Sequence, residues 1–162
     1  MYLINHRRRS ARWHGASQKV RQSAAPLFLD RIDIQCEITP VPFKDISKAA
    51  PGEPSANIRE RVIKAREIQA ARYKDYKGIH CNAQMTERMI HQFAEPNEAG
   101  IDMLRMAMEK LSLSARAYSR ILKVARTIAD LEGCEHVELH HLAEAIGYRA
   151  LDRGDWAERG HI

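Results

Sequence analysis

The chain has 162 residues, of which 44% are hydrophobic and 29% charged, with three cysteines and a formal net charge of +5. These totals are typical of one globular domain, with or without an appendage, and three widely spaced cysteines argue against a disulfide framework. No apolar run approaches the roughly 18 residues that cross a membrane, and the first twenty residues lack the apolar core of a signal peptide. We therefore expect a cytoplasmic protein without membrane contact.

The N-terminal segment, residues 1–25, is basic and has no hydrophobic period. Residues 1–31 carry seven Lys or Arg side chains and one Asp, so the remainder of the chain is nearly neutral. Such a composition predicts a disordered arm. An arginine-rich arm binds nucleic acid in some proteins and is a solvated leader in others, and both interpretations stay open here.

Residues 31–39 alternate between apolar and polar side chains, which predicts a half-buried β-strand. Its buried face would consist of Ile32, Ile34, Cys36 and Ile38. Prolines and a glycine follow up to residue 54 and predict an irregular linker. A single strand needs a neighbour to complete its hydrogen bonds. We therefore expect the strand to pair with a second copy or with polypeptide outside this sequence.

Five helices are predicted after the linker, over residues 55–76, 86–93, 97–111, 114–133 and about 138–151. Ser55, Thr86, Asn97 and Ser114 are the expected N-caps. In the first helix, Ile58, Val62, Ala65 and Arg72 are expected along one side, which would face the core. The fourth helix has an apolar face that covers nearly half of its circumference, which is typical of a central helix. The fold prediction is an all-α bundle of about five helices.

Arg116 lies in the first turn of the fourth predicted helix, where a cation is disfavoured by the partial positive charge of the helix end. An anion beside Arg116 would remove that conflict, and a phosphate is the commonest anion at such a position. Arg120 and Lys123 share its face of the helix. The alternative is an ordinary solvated basic face.

Several catalytic motifs are absent from the sequence. It contains no phosphate-binding G-x-x-x-x-G-K-[ST] loop and no apolar run that ends in an adjacent Asp-Glu pair for Mg²⁺. Cys134, His136, His140 and His141 form a metal-like cluster in the segment CEHVELHH. Their spacing does not match that of a structural zinc site, so we predict a polar turn and no metal.

Four segments of the sequence resemble a known family in the same order along the chain. They are PLFLDRIDI, PGEPSANIRERVIKARE, SARAYSRILKVARTIADLEG and HLAEAIGYRALDR. Together they resemble the C-terminal part of magnesium chelatase-like AAA+ ATPases, in the YifB/ComM group, between about residues 26 and 156. The resemblance implies the end of the ATPase core with its linker (26–54) and a helical lid (55–156), which stand between the basic arm (1–25) and a tail (157–162).

The resemblance also implies roles for single residues. Arg31 matches the arginine finger, which acts in the site of a neighbouring subunit, and Arg116 matches the sensor-2 arginine, which contacts nucleotide phosphate. Asp30 and Asp33 would orient Arg31, while Ser114 would support Arg116 by capping its helix. No role transfers to Arg120 or Lys123, which we expect at the surface.

ATP with Mg²⁺ is the implied ligand of the full-length protein, and none is expected to bind tightly to this chain alone. The implied partners are the protein's own ATPase core, neighbouring subunits in a hexamer, and DNA during recombination or competence. The missing phosphate-binding loop leads us to expect a piece of a longer protein that hydrolyses no ATP alone. A helical nucleic-acid-binding module and a protein-interaction bundle stay open as alternatives.

Overall fold

The computed structural model describes residues 31–36 and 52–149. The chain separates into two compact units, Met1–Ile32 and Asp33–Ile162. Of the first unit only Arg31 and Ile32 are described, and all helices below belong to the second unit. The predicted basic arm, Asp30 and the predicted tail therefore lie outside the described residues.

The described part of the chain contains five α-helices and one short 3-10 helix. These are α1 Ser55–Tyr73, the 3-10 helix Asn82–Gln84, α2 Glu87–Phe93, α3 Glu98–Leu111, α4 Ala115–Glu132 and α5 Leu139–Gly147. The predicted all-α bundle of about five helices is confirmed. The 3-10 helix was not expected from the sequence.

Helix α4 is central to the bundle, because α1, α2, α5 and the 3-10 helix all pack against it, while α3 packs against α5. Ala117, Ala125 and Ala129 are completely buried and allow the neighbouring backbones to approach α4 closely. Ile121 and Leu122 are buried beside them. Burial of an Ile or Leu side chain contributes about 1.5–3 kcal/mol, so this face holds the bundle together.

The helix ends follow from local sequence. The Asn97 side chain accepts a hydrogen bond from the Gly100 amide at 2.9 Å and begins α3. The Ser114 hydroxyl accepts from the Ala117 amide at 3.1 Å and begins α4, as predicted. Gly133 ends α4 with φ of 74°, a left-handed conformation that glycine adopts without strain. In α1, Pro54 rather than Ser55 is the N-cap residue.

Two helices are shorter than the sequence suggested. Helix α1 ends at Tyr73 and not at residue 76, because the chain enters turns that lead to Gly78, whose φ is 80°. Helix α5 ends at Gly147, and the predicted end at residue 151 lies outside the described residues.

The strand prediction is wrong for the residues that are described. Residues 31–36 form no strand, and Ile34, expected on the buried face, is 51% exposed. Within this segment the Gln35 amide donates to the Tyr148 carbonyl at 3.0 Å, a contact with the end of a helix and not with a strand. An alternating pattern needs a neighbouring strand to become a ladder, and the described residues supply none.

The predicted inward face of α1 is also wrong in its first half. Every residue from 52 to 64 is exposed, including Ile58 at 44% and Val62 at 42%. Burial begins at Ala65 and continues at Gln69 and Tyr73, one helical turn apart. Helix α1 is therefore attached to the bundle by its C-terminal half and projects from it by its N-terminal half.

Candidate functional site

The N-terminal end of α4 presents Arg116 at the surface of the bundle. Ser114 caps the helix and Arg116 occupies its first turn, which contains no acidic residue. The Arg116 side chain is exposed. The sequence prediction of a cation at a helix N-terminus is thus reproduced in the geometry.

An open surface cleft of about 570 Å³ lies beside this helix end. We call it the basic cleft, and it is lined by Glu87, Ala115, Arg116, Tyr118, Ser119, Arg120 and Lys123. Three of these side chains are cationic and one is anionic. The cleft is therefore suited electrostatically to an anionic ligand.

Two residues of the basic cleft are held by neighbouring elements. The Ser119 hydroxyl donates to Glu87 of α2 at 2.9 Å. The Lys123 ammonium donates to the carbonyl of Ala83, in the 3-10 helix, at 3.0 Å. These contacts fix one wall of the cleft to two other elements of the bundle.

Arg120 and Lys123 are not simply surface residues, since both are only half exposed. The Arg120 guanidinium donates to the Asp33 carboxylate and forms an ion pair with it. Asp33, expected to orient Arg31, is thus a partner of α4. Arg31 itself is exposed, and its predicted role as an arginine finger stays a prediction.

A second cluster, of charged and polar side chains, packs around the C-terminal half of α4 and was missed by the sequence reasoning. We call it the buried polar network, and it consists of Arg72, Tyr73, Asn82, Arg126 and Asp130. The Asp130 side chain is fully buried and accepts from Arg72 Nη2 at 2.5 Å and Nη1 at 2.8 Å. Asn82 donates to the same carboxylate at 2.8 Å.

Arg126 completes the buried polar network on the side of α5. It is 1% exposed, and its Nε donates to Asp130 at 3.1 Å. Its two terminal nitrogens donate to the carbonyls of Cys134 and Glu135 at 2.5 and 2.7 Å. Arg126 therefore closes the turn that follows α4. The only local signal was an Arg and an Asp four residues apart on a helix face that is otherwise apolar.

The network sets the ionisation of its members. Burial alone would raise the pKa of Asp130, but hydrogen bonds from Arg72 and Asn82 and the charges of both arginines outweigh it, so that pKa is lowered. Burial lowers the pKa of Arg126, against the opposing effect of Asp130. Asp130 is thus held as a carboxylate between two guanidinium groups.

Part of the predicted metal-like cluster does come together. Glu132, His140 and His141 place one ligand atom each within 4.8 Å of one another. However, Nδ1 of His141 accepts the Glu138 amide at 2.9 Å, which closes a capping box at the start of α5. The proton of His141 therefore sits on Nε2 and donates to Glu132 at 3.1 Å. Hydrogen bonding accounts for this trio, and the sequence prediction of no metal stays a prediction.

The helical bundle matches the family described as magnesium chelatase, subunit ChlI C-terminal, over residues 52–149. This interval is more than half of the chain and contains all five helices. The chain therefore belongs to the magnesium chelatase-like family. No helix of the described part is long and apolar enough to cross a membrane.

Three relatives illustrate the match, and the first two place the chain in the YifB/ComM branch of the family. Competence protein ComM of Haemophilus influenzae is 43% identical over 127 residues, which are 78% of this chain and 24% of that protein. YifB of Salmonella typhimurium, uncharacterised, is 41% identical over 127 residues, with the same coverage of 78% and 24%. An uncharacterised protein of Mycobacterium bovis is 32% identical over 122 residues, with coverage of 75% and 24%. The chain thus spans about a quarter of the length of the curated relatives it matches.

Proposed function

We propose that the five-helix bundle is the lid of an AAA+ nucleotide-binding site and that Arg116 contacts a phosphate of the nucleotide bound by its own subunit. The observation that carries the proposal is the exposed Arg116 in the first turn of α4. A phosphate there would interact favourably with the guanidinium and with the positive end of the helix at once. Arg120 and Lys123, which also line the basic cleft, add to the attraction.

The remaining parts of the site belong to the rest of the module in this proposal. The family's ATPase core would supply the phosphate-binding loop and the acidic residues that hold Mg²⁺, and Arg31 would serve the site of a neighbouring subunit as its arginine finger. An arginine finger stabilises the negative charge that develops on the transferred phosphoryl group. One relative is named a competence protein, and we extend the proposal to a full-length ATPase that assembles into a ring and remodels DNA.

A titration of the ¹⁵N-labelled chain with Mg²⁺-ATP, followed by amide chemical shifts, tests the role of Arg116. We expect saturable shifts of the amides from Ser114 to Ala117. Tripolyphosphate should produce the same shifts and adenosine should not, because the proposed contact is to phosphate. Arg116→Ala should abolish them.

Arg105→Ala is the matched control, since Arg105 is an exposed arginine on α3 that does not line the basic cleft. This variant should respond to Mg²⁺-ATP like the wild type. If ATP moves no amide near Arg116 in the wild-type chain, or moves it equally in Arg116→Ala, Arg116 is not a phosphate contact and the bundle is better described as a protein-interaction module.

A further inference from the structure

Residues 33–36 are attached to the bundle at two points. The Asp33 carboxylate accepts from Arg120 on α4, and the Gln35 amide donates to the Tyr148 carbonyl, just beyond α5, at 3.0 Å. Gln35 is half-buried. Because the two attachments lead to different helices, they fix both the position and the direction of a segment that has no regular secondary structure of its own.

Arg120 is where this segment meets the basic cleft. It lies four residues after Arg116, so both side chains project from the same face of α4 one turn apart. Arg120 lines the cleft and forms the ion pair with Asp33. Any displacement of the first two turns of α4 therefore displaces the partner of Asp33.

Arg31 precedes Asp33 by two residues in the sequence. Two residues of extended chain span at most about 7 Å, so the position of Asp33 limits where Arg31 can reach. A structural tie at Asp33 is thus also a restraint on Arg31.

We propose that Arg120 and Asp33 are a positioning pair, which couples the phosphate-contacting end of α4 to residues 33–36 and through them to Arg31. This inference rests on the proposed function of Arg116 and names how that site communicates with the arginine finger. Neither member of the pair contacts a reacting atom. Arg120 transmits a movement of α4, and Asp33 receives it at the segment that carries the finger.

The test uses the same titration of the full chain with Mg²⁺-ATP, but follows the amides of Ile34 and Gln35 as well as those of Ser114 to Ala117. In the wild type, both groups should shift with one apparent dissociation constant. Asp33→Asn removes the ion pair without altering a residue that lines the cleft. It should leave the shifts near Arg116 unchanged and reduce those of Ile34 and Gln35 at least about threefold.

Amide hydrogen exchange gives an independent measure of the attachment. An exposed ion pair contributes little to stability, so Asp33→Asn should speed exchange of the Gln35 amide about two- to fivefold. Asp33→Glu restores the charge and should restore both the coupled shift and the protection. Asp102→Asn is the matched control, because it removes a carboxylate paired with Arg105 on α3, and it should change neither.

The outcomes separate the two proposals. No shift near Arg116 in the wild type would overturn the proposed function. A shift near Arg116 that leaves Ile34 and Gln35 unmoved, or that still reaches them in Asp33→Asn, would overturn the positioning pair alone. Loss of both groups of shifts in Asp33→Asn would show that Asp33 acts on phosphate binding itself, which also contradicts a positioning role.

Discussion

The two ends of α4 carry the same residue type in opposite settings. Arg126, near the C-terminal end, is buried, and all of its nitrogens donate to Asp130 or to the carbonyls after the helix. Arg116, in the first turn, is exposed beside an open cleft. The fold holds the first arginine in place, and the second is the residue that we propose to contact a phosphate. Burial therefore separates these two arginines of one helix, and the phosphate contact proposed for Arg116 depends on its exposed setting.

Asp130→Ala is expected to have the largest effect on stability, and it tests the structural side of this contrast. The substitution leaves Arg72 and Arg126 without their shared carboxylate, and removal of one partner from a buried charge network costs about 3–5 kcal/mol. Urea unfolding monitored by circular dichroism measures the loss. Asp102→Ala, which removes an exposed carboxylate on α3, should change the unfolding free energy by less than about 0.5 kcal/mol. Equal effects would contradict the structural role of the network.

A comparison of two single variants, Arg126→Met and Arg116→Met, should show a smaller effect on the unfolding free energy. The first leaves the part-buried carbonyls of Cys134 and Glu135 without their guanidinium donor. Asp130 also loses one partner but keeps Arg72 and Asn82, so we expect a loss of about 1–3 kcal/mol. The second should lie within about 0.5 kcal/mol of the wild type, because Arg116 is exposed. Unfolding midpoints measured under one set of conditions compare the two. A loss of stability in Arg116→Met as large as that in Arg126→Met would erase the distinction between the ends of α4.

The smallest expected effect is a dependence of the unfolding free energy on pH, which arises from the ionisation of Asp130. Its pKa is lowered in the folded protein, so its charged form stabilises the fold. That contribution is complete above the pKa of an unfolded aspartate, about 3.9, and is lost as the pH falls through the lowered pKa. The difference in unfolding free energy between wild type and Asp130→Asn should therefore be constant above about pH 5 and narrow below pH 4. If the difference in unfolding free energy between the two proteins widens in acid, the pKa of Asp130 is not lowered in the folded protein.

Local rules predicted those parts of the fold that depend on neighbouring residues. Ser114 and Asn97 cap their helices through hydrogen bonds that a three-residue window is sufficient to suggest. The apolar face of α4 likewise identified the central helix. For the candidate site, the position of Arg116 in the first turn followed from Ser114 alone.

Ion pairs between residues far apart in the sequence could not be predicted from it. Arg72 and Asp130 are 58 residues apart, and Arg120 and Asp33 are 87 apart, so no local period connects them. The alternating residues 31–39 illustrate the opposite error, because the pattern describes a strand only when a neighbour provides its ladder. The spacing of Ile58 and Val62 correctly predicted a helix, and yet both side chains are exposed. The spacing of apolar residues does not show how much of a helix is covered by its packing partner.

Helix α1 packs against the bundle at its C-terminal end only, and this has a mechanical consequence. Arg72 and Tyr73 join its C-terminal turn to the buried polar network, while the ten residues from Ser55 to Lys64 are exposed. At 1.5 Å per residue, this free length is a lever arm of about 15 Å. A rotation of the bundle by about 10° would carry the tip through roughly 2.6 Å, as simple trigonometry on that length gives. Any rotation of the bundle about the attached end would thus appear as a displacement at Ser55, the first residue of the helix.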